Sequence, residues 1–355
     1  MHPARGARAK LLRPCAGEHR RSIEQDVSEI NIARQFWIRA PGHGEIVRAG
    51  LAPRQADEVL IRTRYSAISR GTESLVFRGE VPPSQHDVMR APFQEGCFPG
   101  PVKYGYMNVG EVIEGPDDLT GRLVFCLYPH QDLYCVPASR VTPVPDDVPP
   151  GRAVLAANME TAVNVVWDAR PAAGDRIVVI GAGVVGFLVA WLCRQTPGAS
   201  VTVVDINPSR ETTARELGLT FRTEVPEGAD ADLVIHASGQ PAGLASALAI
   251  AGLEATIVEA SWYGSRPVLL PLGEHFHSRR LTIRSSQVGR VPPDRASRWS
   301  FQRRMSLALD LLGDSALDAL ITSESAFEDL PDTLARLSHD PAGALCHRIR
   351  YTPRA

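Results

Sequence analysis

The chain has 355 residues, 44% of them hydrophobic and 22% charged, with a formal net charge of −2. That length buries a sizeable core and favours two domains, while the near-neutral balance lacks the basic surplus that a nucleic acid or an acidic membrane demands. No apolar run reaches the roughly 20 residues that span a bilayer, and the six cysteines form no C-x-x-C pair, so reduced thiols and a cytoplasmic location are expected. Residues 1–27 are basic and polar without the apolar core of a secretory signal, and read as a disordered extension.

From 28 to 165 the text is short apolar runs broken by Gly and Pro, such as "EVLIRTRYSAIS", "NVGEVIEGP" and "GRLVFCLYP". Alternation at that turn density predicts a β-rich region. "PPGRAVLAANMETAVNVVWDA" has helical spacing and few breakers, so one or two helices are expected there. Residues 175–290 change character. "RIVVIGAGVVGFLVAWLCRQTPGASVTVVD" reads as strand, glycine turn, helix, strand. Further α and β units follow at "PSRETTARELG", "ADLVIHAS", "PAGLASALAIAG", "EATIVEAS" and "LTIRSS", which predicts a parallel, doubly wound sheet. Two amphipathic helices, in "WSFQRRMSLALDLLGDS" and "EDLPDTLARLSHD", and a closing strand in "ALCHRIRYT" complete the chain.

The glycine turn carries the clearest chemistry. Gly181, Gly183 and Gly186 stand as G-x-G-x-x-G directly after a buried strand, with Val184 and Val185 opening the helix. The first glycine makes the turn, the second admits a pyrophosphate, and the third lets helix pack on strand. The helix N-terminus presents free N–H groups to the phosphates. Asp205 ends the next strand, where a carboxylate accepts ribose hydroxyls and repels an extra phosphate, so NAD is the expected cofactor. Ile206 follows it, Arg210 lies near enough to leave room for NADP, and Ser238 with Gly239 ends a later strand at close backbone approach. "SSQVGR", residues 285–290, is expected to border the same cofactor, and His236 receives no catalytic role.

A β-rich region followed by this nucleotide unit, together with "SAISRGTE", "GYMNVGEVIEG", "GRLVFCLYPHQDLYCVPASRVTPVPD" and "METAV", resembles the medium-chain dehydrogenase/reductase superfamily over roughly 30 to 352. The resemblance implies an α/β fold: a GroES-like β-rich catalytic domain, 28–165 and 300–355, plus a Rossmann doubly wound parallel sheet, 166–299. Relatives with catalytic zinc place a Cys, a His and a Glu or Cys where this chain has Ser69, Tyr106 and Glu160. Zinc takes neither serine nor tyrosine as a routine ligand, and the cysteine-rich structural lobe is missing, so both zinc sites are expected to be absent. Another alignment would let His130, Cys97 or Cys126 build a different metal site.

Without a metal, side chains must hold the substrate oxygen and move its proton. Tyr106 and Tyr104 flank Gly105, and Lys103 adjoins them. Lys103 is one of only two lysines, and an ammonium beside a phenol would lower the tyrosine pKa. Ser69 and Thr72 lie where the superfamily keeps its metal cysteine and a proton-relaying hydroxyl, and Arg70 where some members present an arginine to the pyrophosphate. Glu160 could hold a substrate hydroxyl or pair with Lys103, Glu73 reads as a buttress, and His130 as a structural loop histidine. These residues suggest a zinc-independent, NAD-dependent oxidoreductase acting on a small polyol, sugar or cyclitol, with an NADPH-dependent quinone or enoyl reductase and a non-catalytic NAD-binding protein as alternatives. The resemblance also implies a homodimer paired through "EATIVEASWYG" and "PVLLPL". No nucleic-acid or membrane partner is expected.

Overall fold

A computed structural model describes residues 32–340 and 343–352; the expected extension over 1–27 lies outside the described residues. Strands β1 (Ile32–Ala40) and β2 (His43–Gly50) form an antiparallel hairpin whose inward positions include Phe36 and Ile38. The chain then enters β3 (Glu58–Ile68), which runs directly into helix α1 (Arg70–Phe77). Short strands β4 (Glu95–Gly96) and β5 (Val102–Lys103) extend the hairpin sheet in the order β2-β1-β5-β4. Strands β6 (Asn108–Glu114), β7 (Leu123–Cys126), β8 (Leu133–Pro137) and β9 (Thr142–Pro143) build a second sheet around β3. Helices α2 (Pro150–Ala153) and α3 (Ala156–Ala169) follow, as the helical spacing predicts.

The next units are β10 (Arg176–Ile180), α4 (Val184–Cys193), β11 (Ser200–Val204), α5 (Arg210–Glu216) and β12 (Thr220–Arg222). Then come β13 (Ala231–His236), α6 (Pro241–Ile250), β14 (Ala251–Glu259) and β15 (Thr282–Ser285). All five neighbouring pairs are parallel, in the order β12-β11-β10-β13-β14-β15. Apolar runs such as "RIVVI" suit strands covered on both faces. The chain direction reverses its spread between β10 and β13, so a crevice opens there at the carboxyl ends of the strands. One expectation needs correction: β14 lies inside this sheet and "PVLLPL" forms no strand, so the free edge belongs to β15.

Helices α7 (Pro293–Ala296), α8 (Phe301–Asp310) and α9 (Leu330–His339) alternate with strands β16 (Ile321–Ala326) and β17 (Cys346–Arg350). Strand β17 pairs antiparallel with β3, giving a seven-stranded sheet of order β16-β17-β3-β6-β7-β9 with β8 also on β3. The closing strand is therefore stitched into the first β-rich region across the whole length of the chain. Strand β16 carries little sequence signal, because "ITSESA" is polar and alternates weakly. In α9, Leu330, Leu334 and Leu337 fall on one face at helical spacing and pack with Val76 and Phe77 of α1 in one apolar cluster. Among the described residues no helix is long and apolar enough to cross a membrane.

Candidate active site

At the end of β3 the backbone turns into α1, and Ser69 occupies the position before the first helical residue. A serine there usually spends its oxygen on a helix N–H. Here its side chain makes no cap bond. Glu73 instead reaches back one turn, and its Oε1 accepts the Ser69 backbone N–H at 2.7 Å. The Ser69 hydroxyl is thereby left for another partner, and Tyr106 donates to it at 2.5 Å. Burial, then the nearby Glu73, pushes the Tyr106 phenol up to about 12, against smaller opposing contributions from hydrogen bonds with Ser69 and Thr72. Ser69, Thr72 and Tyr106 thus meet in one hydroxyl cluster.

Behind this cluster runs a buried polar chain. Glu73 Oε2 lies 2.9 Å from His130 Nε2, His130 Nδ1 lies 2.7 Å from Ser66 Oγ, and Ser66 Oγ lies 3.0 Å from the Tyr351 hydroxyl. His130 is 1% exposed and Glu73 is 2% exposed, so this pair must satisfy itself internally. Gly105 makes room for it: a Cβ there would stand 3.0 Å from His130 Cδ2. His130, expected from the sequence to be a structural loop histidine, is therefore joined to the site. Ser66 and Tyr351 were missed altogether. They are far apart in sequence and meet only because β17 returns onto β3.

Two expected neighbours go elsewhere. Lys103 is buried, ion-paired with Glu95, and donates to Gln131 at 2.8 Å. Its ammonium lies over the Tyr128 ring and lines a separate cavity of about 510 Å³ together with Trp37, Gln131 and Tyr128. Burial lowers its pKa against the pull of Glu95. The expected lysine-lowered phenol is not found: Tyr106 shifts upward, and Glu73 rather than an ammonium is its charged neighbour. Strand β5 points the Lys103 side chain into that other cavity. Glu160 is also redirected. Its carboxylate pairs with Arg304 of α8 at 3.1 Å, not with Lys103, and burial raises its pKa against the opposing Arg304. Arg304 also donates to Val288 at 2.6 Å, while Ser286 donates to Asp168 at 2.7 Å, so 285–290 is fastened to α3 and α8.

The zinc positions implied by resemblance therefore hold two hydroxyls bonded to each other and a carboxylate taken by an arginine. That donor set does not fit a zinc ion. Of the residues in the other alignment, His130 is engaged at both ring nitrogens by Ser66 and Glu73, and the Cys126 thiol, pushed up to about 12 by burial, faces the Arg140 carbonyl.

The crevice at the sheet's switch point is built mostly from backbone. Gly181 has φ +110, and a Cβ on it would stand 2.6 Å from Ser238 N. A Cβ on Gly186 would lie 1.9 Å from Gly181 O, so helix α4 reaches its strand only because that position is bare. Gly183 stands before the first turn of α4, where Val184 and Val185 supply N–H groups without intrahelical partners. Asp205 at the end of β11 accepts Ala182 N–H at 2.7 Å and Asn207 N–H at 2.9 Å. Ile206 beside it is 90% exposed. Arg70 and Arg210 converge on the same region, and both donate to the Ala344 carbonyl. Burial and then Arg210 lower the Arg70 pKa, with Asp205 opposing. A dinucleotide's phosphates fit this cradle.

No family model matches the chain. It is 28% identical over 316 residues, 81% of this chain and 87% of the relative, to D-guloside 3-dehydrogenase of Escherichia coli K12. An alcohol dehydrogenase of Escherichia coli CFT073 complexed with NADH superposes with a TM-score of 0.71 at 18% identity, covering 90% of this chain and 99% of that one. S. aureus TarJ with NADPH superposes at 0.68 and 16% identity, covering 91% and 100%. The fold is that of the medium-chain dehydrogenase/reductases. The relatives and structural neighbours are zinc-type alcohol dehydrogenase-like members of that superfamily, and neighbours bind nicotinamide cofactors of both kinds.

Proposed function

We propose that the chain is a zinc-independent, NAD(H)-dependent oxidoreductase that interconverts an alcohol and a carbonyl on a small polyol, sugar or cyclitol. The observation that carries this reading is the Ser69–Thr72–Tyr106 hydroxyl cluster, set where the superfamily otherwise keeps a metal. When bound, the nicotinamide supplies or accepts the hydride. The chain's own residues do the rest. Tyr106 keeps its proton through the neutral range, so with substrate bound its hydroxyl turns from Ser69 Oγ to donate to the substrate oxygen and stabilise charge developing there. Ser69 and Thr72 orient that oxygen, and Glu73 with His130 holds the head of α1 in place. Asp205 would hold the adenosine ribose, exposed Ile206 would offer an apolar surface to the adenine, and Arg70 and Arg210 would supply positive charge to the phosphates. Gly239 and Ser238 border the far end of the crevice.

The same region supports a second reading of cofactor choice. Both Asp205 oxygens are occupied by backbone N–H groups, and two guanidinium groups lie close by, which favours tolerance of the NADP phosphate. We further take residues 28–165 with 300–355 as the catalytic domain and 166–299 as the nucleotide domain. A cytoplasmic homodimer is part of the proposal; the exposed Leu253, Leu269 and Leu272 support pairing through the nucleotide-binding half. The experiment is a zinc determination on protein purified without chelator, joined to a polyol and sugar screen that follows NADH absorbance. Turnover with less than about a tenth of an equivalent of zinc supports the reading, and turnover that requires about one equivalent overturns it.

A further inference from the structure

His236 is fully buried at the end of β13, and neither ring nitrogen is idle. Its Nδ1 lies 2.8 Å from Glu259 Oε2 and its Nε2 lies 2.6 Å from Ser238 Oγ. Glu259 ends the adjacent strand β14. Its Oε2 also accepts the Tyr263 hydroxyl at 2.9 Å, and its Oε1 accepts the Ser261 N–H at 2.7 Å. Ser261 Oγ in turn accepts Gly239 N–H at 3.0 Å. One carboxylate therefore ties together the two turns that follow β13 and β14. Apolar side chains would join them without the desolvation that a carboxylate suffers here, so the charge calls for a reason beyond packing.

Position supplies the reason. The cofactor crevice opens between β10 and β13, and Gly181 presses directly on Ser238. With adenosine on the Asp205 side, over β11, the dinucleotide must run the other way across the crevice and end over β13 and β14. Glu259 and His236 mark that end. The segment leaving Glu259 then crosses toward the hydroxyl cluster: Trp262 packs against the apolar cluster that includes Ile68, just before α1, and Val76 and Phe77 within it. The groups that oppose this charge are His236, which is cationic only when protonated, and Arg266, which donates to the Gly239 carbonyl at 2.9 Å but is exposed and so screened by solvent.

We infer that Glu259, held by His236 and Tyr263, sets the relative affinity of the crevice for oxidised and reduced nicotinamide. The inference rests on the reading of this crevice as a nicotinamide-dinucleotide site. The oxidised ring carries a positive charge that the reduced ring lacks, and a fixed carboxylate in a poorly solvated site attracts only the former. The cluster then biases the chain toward holding the cofactor form that alcohol oxidation needs.

The test measures NADH binding by the fluorescence of its reduced ring, and NAD+ binding by displacement of NADH. In Glu259→Gln, NAD+ should weaken about tenfold relative to NADH, because the substitution removes charge and keeps shape. Tyr263→Phe should move the ratio the other way by about threefold, since it strips one hydrogen bond from the carboxylate and leaves the charge. That variant also carries the test if Glu259→Gln does not fold. Equal weakening of both cofactors in either variant, or an unchanged ratio in both, overturns the inference and leaves the crevice reading standing. Wild-type protein that binds neither cofactor overturns both.

Discussion

The nucleotide crevice and the hydroxyl site lie close together but are made differently. The crevice is mostly backbone: three glycines, a helix start and a strand-end carboxylate, contributed by the contiguous stretch 181–205 plus one neighbouring turn. The hydroxyl site is side chain on side chain, drawn from β3, α1, the 104–106 segment, the 130 loop and the last described residues. A backbone-built site tolerates variation in side chains and fails on a single added methyl group. A side-chain network fails when one partner leaves another buried and unsatisfied.

The largest effect is expected from His130→Leu. It strands the Glu73 carboxylate in a nearly dry site, at a cost of about 3 kcal/mol or more in stability, read from urea unfolding. A loss below about 1 kcal/mol would mean that the network is slack, and the contrast with the crevice would weaken. Gly186→Ala should come next. Its Cβ must displace Gly181 O, so NADH binding should be lost and stability should fall by about 2 kcal/mol. A variant that binds NADH normally would show that the crevice yields where the structure says it cannot.

Tyr106→Phe should lower turnover by about a hundredfold with the substrate that the NADH screen identifies, while NADH binding stays unchanged. Its pH signature is separate. The phenol's pKa is raised from about 10 to about 12 in the folded protein, so the unfolded chain releases that proton first. Stability from this group is complete below pH 10 and is lost as pH rises toward 12. Wild type should therefore lose about 2 kcal/mol more than Tyr106→Phe across that window in chemical denaturation. Equal slopes would place the hydroxyl in water rather than in the enclosed cluster.

The smallest effect is expected from Lys103→Gln. Because this ammonium faces Glu95, Gln131 and the outer cavity, NADH affinity and turnover should stay within about twofold of wild type. A loss comparable to that of Tyr106→Phe would restore Lys103 to the site and redraw its boundary.

The family resemblance put Tyr106 in one neighbourhood with Ser69 and Thr72, while the sequence by itself determined the two kinds of sheet and the glycine turn with Asp205 ending the next strand. These rest on local periods and on short-range backbone demands, which a linear text displays. It misplaced Lys103, Glu160 and the outer edge of the parallel sheet, passed over β16, and assigned no role to His236. Chain neighbours point to opposite faces of a strand, so Lys103 next to Tyr104 and Tyr106 says nothing about which cavity its side chain enters. Glu160 meets Arg304 only where α8 packs on α3, and Glu73 meets His130 and Ser66 meets Tyr351 only because distant strands share a sheet. Tertiary structure decided those pairings because a buried charge or hydroxyl takes whichever partner the folded layers bring within about 3 Å, whatever lies beside it in the chain.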